Sequence, residues 1–230
     1  MADRLDVAEG TGQRDHIGRQ IETHEASVAA VATAAVKTIG IVLFDGVEEL
    51  DAVGPWEVLA WWTQNIPEDG YRVLTMSLDG SPVIAAKGLT LTPSHSFAAA
   101  GPLDVLLYPG GRGTRAHTTD PDRLSWVRSQ ASTSTLMTSV CTGALVYAAA
   151  GLLAGRRATT YWGAFDELLA LDPTIRPDRD ARFVDEGDVI TSAGVSAGID
   201  MALHLVHRLG SLESAQRTRR GIQYDPEPPV

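Results

Sequence analysis

From Lys37 onward, short runs of consecutive apolar residues alternate with segments of helical period. Strands that read as unbroken apolar runs are buried on both faces, and a chain that alternates them with helices folds as a mainly parallel sheet. The runs are Ile39–Phe44 (IGIVLF), Tyr71–Ser77, Val105–Tyr108 (VLLY), Thr135–Val140 (TLMTSV), Arg157–Tyr161 and Val189–Ser192, the last sheet strand. Between them, helices are expected after Asp45-Gly46 through Trp56 to Trp61, near Arg123–Ser132, and over Gly143–Leu153, Gly163–Leu171 and Gly198–Leu209. Val83–Leu91 (VIAAKGLTL) reads as a hairpin or edge strands with Gly88 at the turn. The fold class is therefore α/β, a three-layer sandwich with helices on both faces of a mainly parallel sheet.

Residues 1–36 lack this pattern. They mix Asp, Glu, Arg, Gly and Gln with little periodicity, which reads as a flexible N-terminal arm with a helix from about Gln20. Residues 37–230 then form a single domain, and a chain of 230 residues needs no disulfide or metal staple to bury a core. The tail Tyr224–Val230, with three prolines, is expected to run over the surface. Cys141 is the only cysteine, so no internal disulfide forms and a reducing cytoplasm is the natural compartment. The formal net charge of −10 argues against a nucleic-acid partner, and Arg217, Arg219 and Arg220 read as a solvated helix end. No apolar stretch reaches the roughly 18 residues of a membrane span. The Ala/Val segment Ala26–Val36 is shorter and follows Glu22 and Glu25.

Ligands of open parallel sheets bind at the carboxyl ends of the strands. Three features collect there: Glu48-Glu49-Leu50-Asp51, Gly110-Gly111 with Gly113, and Cys141-Thr142-Gly143. Cys141 lies between a strand and a small-residue helix, the place of a nucleophile at a strand-to-helix elbow, where backbone N–H groups favour a thiolate. The bland alternative is a small buried hydrophobe. Asp51, flanked by Leu50, Ala52 and Val53, is expected to face inward, where it could hold a proton and act as a general acid; Glu48 and Glu49 are expected to face solvent. The glycines form either an oxyanion nest or a plain turn. They fit neither the dinucleotide fingerprint nor the phosphate loop, so no phosphate cofactor is expected. Asp200, His204 and His207 share one helix face, yet Met201, Leu203, Leu205 and Val206 around them point to packing, and no metal is expected. His95 and His117 fall in loops from which either could approach the cleft.

Taken together, GIVLFDGVEELDAVGPWEVL, DVLLYPGGRGT, SVCTGALVYAAAGLLAGRRATTYW, VITSAGVSAGIDMALHLV and IQYDPEPPV resemble the ThiJ/PfpI superfamily, and within it the isonitrile hydratase branch. The resemblance covers residues 37–230 and implies a flavodoxin-like, class I glutamine amidotransferase-like fold. It places the nucleophile on Cys141, its acidic partner on Asp51 and a further functional residue on Thr142. It also implies oxyanion amides at Gly111 and Thr142, a homodimer, a small-molecule substrate and no cofactor. Regulators that share the cysteine motif carry a C-terminal helix-turn-helix pair, for which a chain ending at Val230 leaves no room. Gly110, Tyr161, Trp162 and Trp56 are expected to line the substrate site, the two tryptophans as apolar walls.

Relatives commonly have histidine where this chain has Tyr161, in ATTYW. A phenol is a weak base near neutral pH, so the substitution disfavours a Cys–His mechanism such as amide hydrolysis and leaves a Cys–Asp mechanism less affected. The expected activity is hydration of an isonitrile to an N-substituted formamide. The alternatives are a glyoxalase- or deglycase-like activity on small carbonyl compounds, or a non-catalytic cysteine-based sensor.

Overall fold

The structure, a computed structural model, describes residues 35–133 and 136–226. Residues 1–34 of the expected arm and residues 227–230 of the tail lie outside them. A seven-stranded sheet is built from β1 (Lys37–Val42), β2 (Tyr71–Ser77), β5 (His95–Ser96), β6 (Val105–Tyr108), β7 (Leu136–Val140), β10 (Phe183–Asp185) and β11 (Val189–Ser192). Its order is β10-β11-β7-β6-β1-β2-β5, and every pair is parallel except β10 with β11. Ile39, Ile41, Leu106, Leu107, Met137 and Ile190 are buried within it, as expected of strands covered on both faces.

Two groups of helices cover the sheet. Helix α1 (Glu49–Asn65) packs with α6 (Ala197–Leu209) and α7 (Leu212–Gly221). The second group contains α2 (Thr114–His117), α3 (Pro121–Ser132), α4 (Gly143–Ala149) and α5 (Phe165–Leu171). In α6 the buried residues Ala197, Gly198, Met201, Ala202, Leu205 and Val206 recur at helical spacing, and this stripe seats the helix. Its polar face carries an ion pair of Asp200 with Arg182 and a contact of His204 Nε2 with Asp185 Oδ2 at 2.8 Å. Asp200 Oδ1 also accepts the Tyr224 hydroxyl at 2.9 Å, which seats the start of the tail. Of the terminal arginines, Arg219 pairs with Asp225 and Arg217 lies 3.5 Å from Glu68. No helix among the described residues is long and apolar enough to cross a membrane.

The hairpin β3 (Val83–Ile84) and β4 (Thr90–Leu91) is antiparallel and stands apart from the main sheet, with Gly88 at a positive φ of 98° in its turn. It folds back onto the loop after β1: Ile84 N–H donates to Asp45 Oδ1 at 2.8 Å and Ala86 N–H to Val47 O at 2.8 Å.

Three expectations need correction. The strand expected over Arg157–Tyr161 is only β8 (Arg157–Ala158), and it pairs with β9 (Arg176–Pro177) rather than with the main sheet. The next two residues instead bond to side chains and carbonyls beneath the cleft, which pulls the backbone out of a ladder. The helix expected to Leu153 ends at Ala149, because Gly151 (φ 80°) and Gly155 (φ 70°) take left-handed turns. The first strand stops at Val42 instead of Phe44. Of helix α7, whose Ser211 cap accepts Ser214 N–H at 3.0 Å, the sequence marks only the end at Arg217, Arg219 and Arg220 and not the start.

Close packing of α4 on β6 rests on Gly143, where a Cβ would lie 2.1 Å from the Tyr108 carbonyl oxygen. Gly143→Ala is expected to lower stability by about 2–3 kcal/mol, read as a fall in the urea midpoint at unchanged slope.

Candidate active site

Strands β1 and β6 are neighbours, while the chain leaves β1 for β2 on the opposite side, so the topological switch point lies between them. The loops after β1, β6, β7 and β11 meet there. Glu48 N–H donates to Gly110 O at 2.9 Å, and Cys141 N–H donates to Ser192 O at 3.0 Å. These bonds tie the four loops around one cleft of about 710 Å³.

Cys141 directly follows β7 and precedes α4. It holds a positive φ of 58°, unusual for a residue with a Cβ, and is 6% exposed. The strand, turn and helix have the geometry of an elbow. Buried Thr160 donates its hydroxyl to the Cys141 carbonyl at 2.8 Å, so the strained residue is pinned from both its N–H and its C=O. Val195, in the glycine-rich turn after β11, also holds a positive φ of 55°.

Asp51 sits in the first turn of α1 and is 0% exposed. Its Oδ2 accepts Gly110 N–H at 3.0 Å, and its Oδ1 is a buried oxygen without a fixed partner among the described residues. Burial, with a smaller push from Glu48, raises its carboxyl to a pKa of about 7, against the pull of the Cys141 thiol and of the Gly110 and Val195 amides. The Cys141 thiol is also pushed well up, first by burial and then by Asp51, while the Thr142 and Val195 amides pull it back. The helix-terminus effect expected to favour the thiolate is therefore outweighed, because the sulfur is desolvated beside a carboxyl group. The two groups titrate as a pair, which gives up one proton near neutrality and holds the second far into alkaline pH.

Thr142 is 2% exposed. Its hydroxyl accepts Gly111 N–H at 2.9 Å and lies 3.1 Å from the Thr114 hydroxyl, which itself donates to Gly111 O at 2.8 Å. Gly111 cannot be replaced without moving backbone: its φ is 126°, and a Cβ would meet Gly46 O at 2.3 Å.

Two of the expected oxyanion donors are engaged within the site, the Gly110 amide by Asp51 and the Gly111 amide by Thr142. The Thr142 amide acts on the sulfur, as does the Val195 amide, which acts on Asp51 as well. Tyr161 lines the cleft, with its ring against Gly194. Trp162 does not wall the cleft: it packs obliquely on Tyr161 and is 77% exposed. Trp56 packs against the core from α1 and does not line the cleft. Neither histidine reaches the cleft. His117 Nδ1 lies 2.9 Å from the Tyr108 hydroxyl and its ring stands edge-on to Phe44, with burial lowering its pKa to about 4; His95 bonds to Ser94. Glu48 and Glu49 are not free in solvent but clamp Lys87 of the hairpin.

Sequence reasoning missed Lys87, Arg112, Arg115 and Val195 in the cleft wall. Arg112 lay inside a quoted motif, DVLLYPGGRGT, which Arg115 directly follows, and Lys87 is delivered by the hairpin. Among the described residues no group of three or more His, Cys, Asp or Glu side chains could hold a metal ion.

Residues 37–208 match the DJ-1/PfpI family. The chain belongs to the DJ-1/PfpI family. It is 41% identical over 191 residues to an isonitrile hydratase of Pseudomonas putida, covering 83% of this chain and 80% of that protein. It is 30% identical to a helix-turn-helix transcriptional regulator of Pseudomonas aeruginosa, over 75% of this chain but only 46% of the regulator. A ThiJ/PfpI family protein from Pseudomonas syringae superposes with a TM-score of 0.76 at 32% identity, covering 84% of this chain and 77% of that one.

Two outcomes are expected from these contacts. The folded carboxyl of Asp51 titrates near 7 and the unfolded one near 4, so the native state binds the extra proton and is favoured below that window. Wild-type stability relative to Asp51→Asn should thus fall as pH rises from about 4 to about 7, measured by urea unfolding across that range. Thr160→Val leaves the Cys141 carbonyl buried without this donor and should cost about 1–3 kcal/mol and slow thiol alkylation, with Thr160→Ser restoring both.

Proposed function

We propose that the chain is an isonitrile hydratase, converting R–N≡C and water to an N-substituted formamide. The observation that carries this reading is a buried carboxyl group of pKa about 7 coupled to a thiol, in a cleft whose described lining contains no histidine. An isonitrile needs such a pair, because its terminal carbon must accept a nucleophile and a proton at the same centre. The 41% identity to the Pseudomonas putida isonitrile hydratase supports the same reading.

In the proposed reaction the Cys141 sulfur bonds to the terminal carbon while Asp51 delivers the pair's remaining proton to that carbon, giving the thioimidate R–N=CH–S–Cys. The Asp51 carboxylate then takes one proton from a water molecule as its oxygen adds to the thioimidate carbon. The water's second proton reaches nitrogen, the C–S bond breaks, and R–NH–CHO leaves. The proton held by Asp51 restores the starting pair. The Thr142 and Val195 amides, already directed at the sulfur, stabilise the thiolate. Thr142 keeps the Gly111 loop in register through its hydroxyl, and Tyr161 lines the cleft. No step calls for a cofactor. The reading extends to a homodimer in a reducing cytoplasm, as suits a chain with one cysteine.

Incubation with cyclohexyl isocyanide should give N-cyclohexylformamide by mass spectrometry. Cys141→Ala should give none, and Asp51→Asn should be slower by about 10²-fold or more. Turnover by the Cys141→Ala variant overturns the covalent route. No formamide from the wild type, together with consumption of methylglyoxal, replaces the reading with action on small carbonyl compounds.

A further inference from the structure

Three cations line the Cys141 cleft, and they differ in how they are neutralised. Lys87 is held by both Glu48 and Glu49. Arg115 makes a two-pronged pair with Glu167, Nε to Oε2 at 2.9 Å and Nη2 to Oε1 at 2.7 Å, and its Nη1 reaches Gly111 O at 3.3 Å. Arg112 has no carboxylate partner among the described residues. Its one hydrogen bond among the described residues, from Nη2, goes to the neutral carbonyl of Ala86 in the hairpin. That bond holds the guanidinium at the cleft and engages one of its five N–H donors.

Of these cations Arg115 is also within electrostatic reach of the Cys141 sulfur. The carboxylates of Glu48 and Glu49 are engaged by Lys87, so an incoming anion meets Arg112 as the open donor. A planar guanidinium with free N–H groups suits a carboxylate above other anions of that size, because two parallel N–H···O bonds can form.

We propose that the natural substrate is an isocyano carboxylate, with its isonitrile carbon at Cys141 and its carboxylate on Arg112. This rests on the hydratase reading for the reacting end of the molecule, whereas the anion site stands on Arg112 alone. Arg112 is then a specificity-determining residue, and a neutral isonitrile of equal size is the poorer substrate.

Two measurements test it. The first needs no turnover: alkylation of Cys141 by iodoacetate and by iodoacetamide, in which the sulfur displaces iodide, compares an anionic with a neutral reagent of similar size. The rate ratio of iodoacetate to iodoacetamide should fall about fivefold or more in Arg112→Gln, stay near wild type in Arg112→Lys, and shrink with added salt as a screened charge requires. An unchanged ratio in Arg112→Gln overturns the anion site. The second compares 4-isocyanobutanoate with its methyl ester. The wild type should favour the acid by about tenfold or more in kcat/KM, and Arg112→Gln should lose that preference through KM. Equal turnover of acid and ester by the wild type overturns the substrate class while leaving the hydratase reading intact. If neither isonitrile reacts, the hydratase reading fails and the alkylation ratio alone decides whether Arg112 receives an anion.

Discussion

A carboxyl group that solvent does not reach lies against a thiol, and the architecture around them is the set of contacts that keeps this pair in place. Burying an ionised carboxylate is costly unless it is neutralised or hydrogen-bonded. Here burial outweighs the pull of the Cys141 thiol and of the Gly110 and Val195 amides, so the carboxyl holds its proton up to about neutral pH. Gly110 lies after β6, Asp51 starts α1, Cys141 follows β7 and Val195 follows β11. The pair therefore depends on four loops at once, and those loops meet because parallel strands put all their carboxyl ends on one edge.

Around the pair, each loop is secured by a different device. Thr142 and Thr114 hold the two sides of the Gly111 peptide, and Thr160 holds the Cys141 carbonyl. The β3–β4 hairpin adds a roof, bonded to the loop after β1 and carrying Lys87 to the cleft. The amides that act on the sulfur are those of Thr142 and Val195, the latter shared with Asp51, rather than those of the glycines. A nest of glycines supplies room as well as donors, and here the donors are used to bind the site's own side chains.

Much of the scaffold was legible along the chain. Tyr71–Ser77, Val105–Tyr108 and Val189–Ser192 are strands to the residue, because apolar runs flanked by turn residues leave few alternatives. Boundaries failed where side-chain contacts override backbone preference, as at Thr159 and Thr160, whose bonds beneath the cleft end β8 early. The start of helix α7 was not legible, since the Ser211 cap sets it, whereas its arginine-rich end was read as a helix end.

The sequence by itself determined the mainly parallel sheet, the place of Cys141 after a strand and the inward-facing Asp51, because these follow from local runs and neighbours. Only the tertiary structure decided which amides face the sulfur, that burial raises the thiol rather than lowering it, and that Trp162 stands in solvent. It also decided that Arg112 is the cleft cation without a carboxylate partner among the described residues. Each of these depends on the distance between groups far apart in the chain, and hydrogen-bond commitment, desolvation and charge pairing are properties of that distance rather than of residue order.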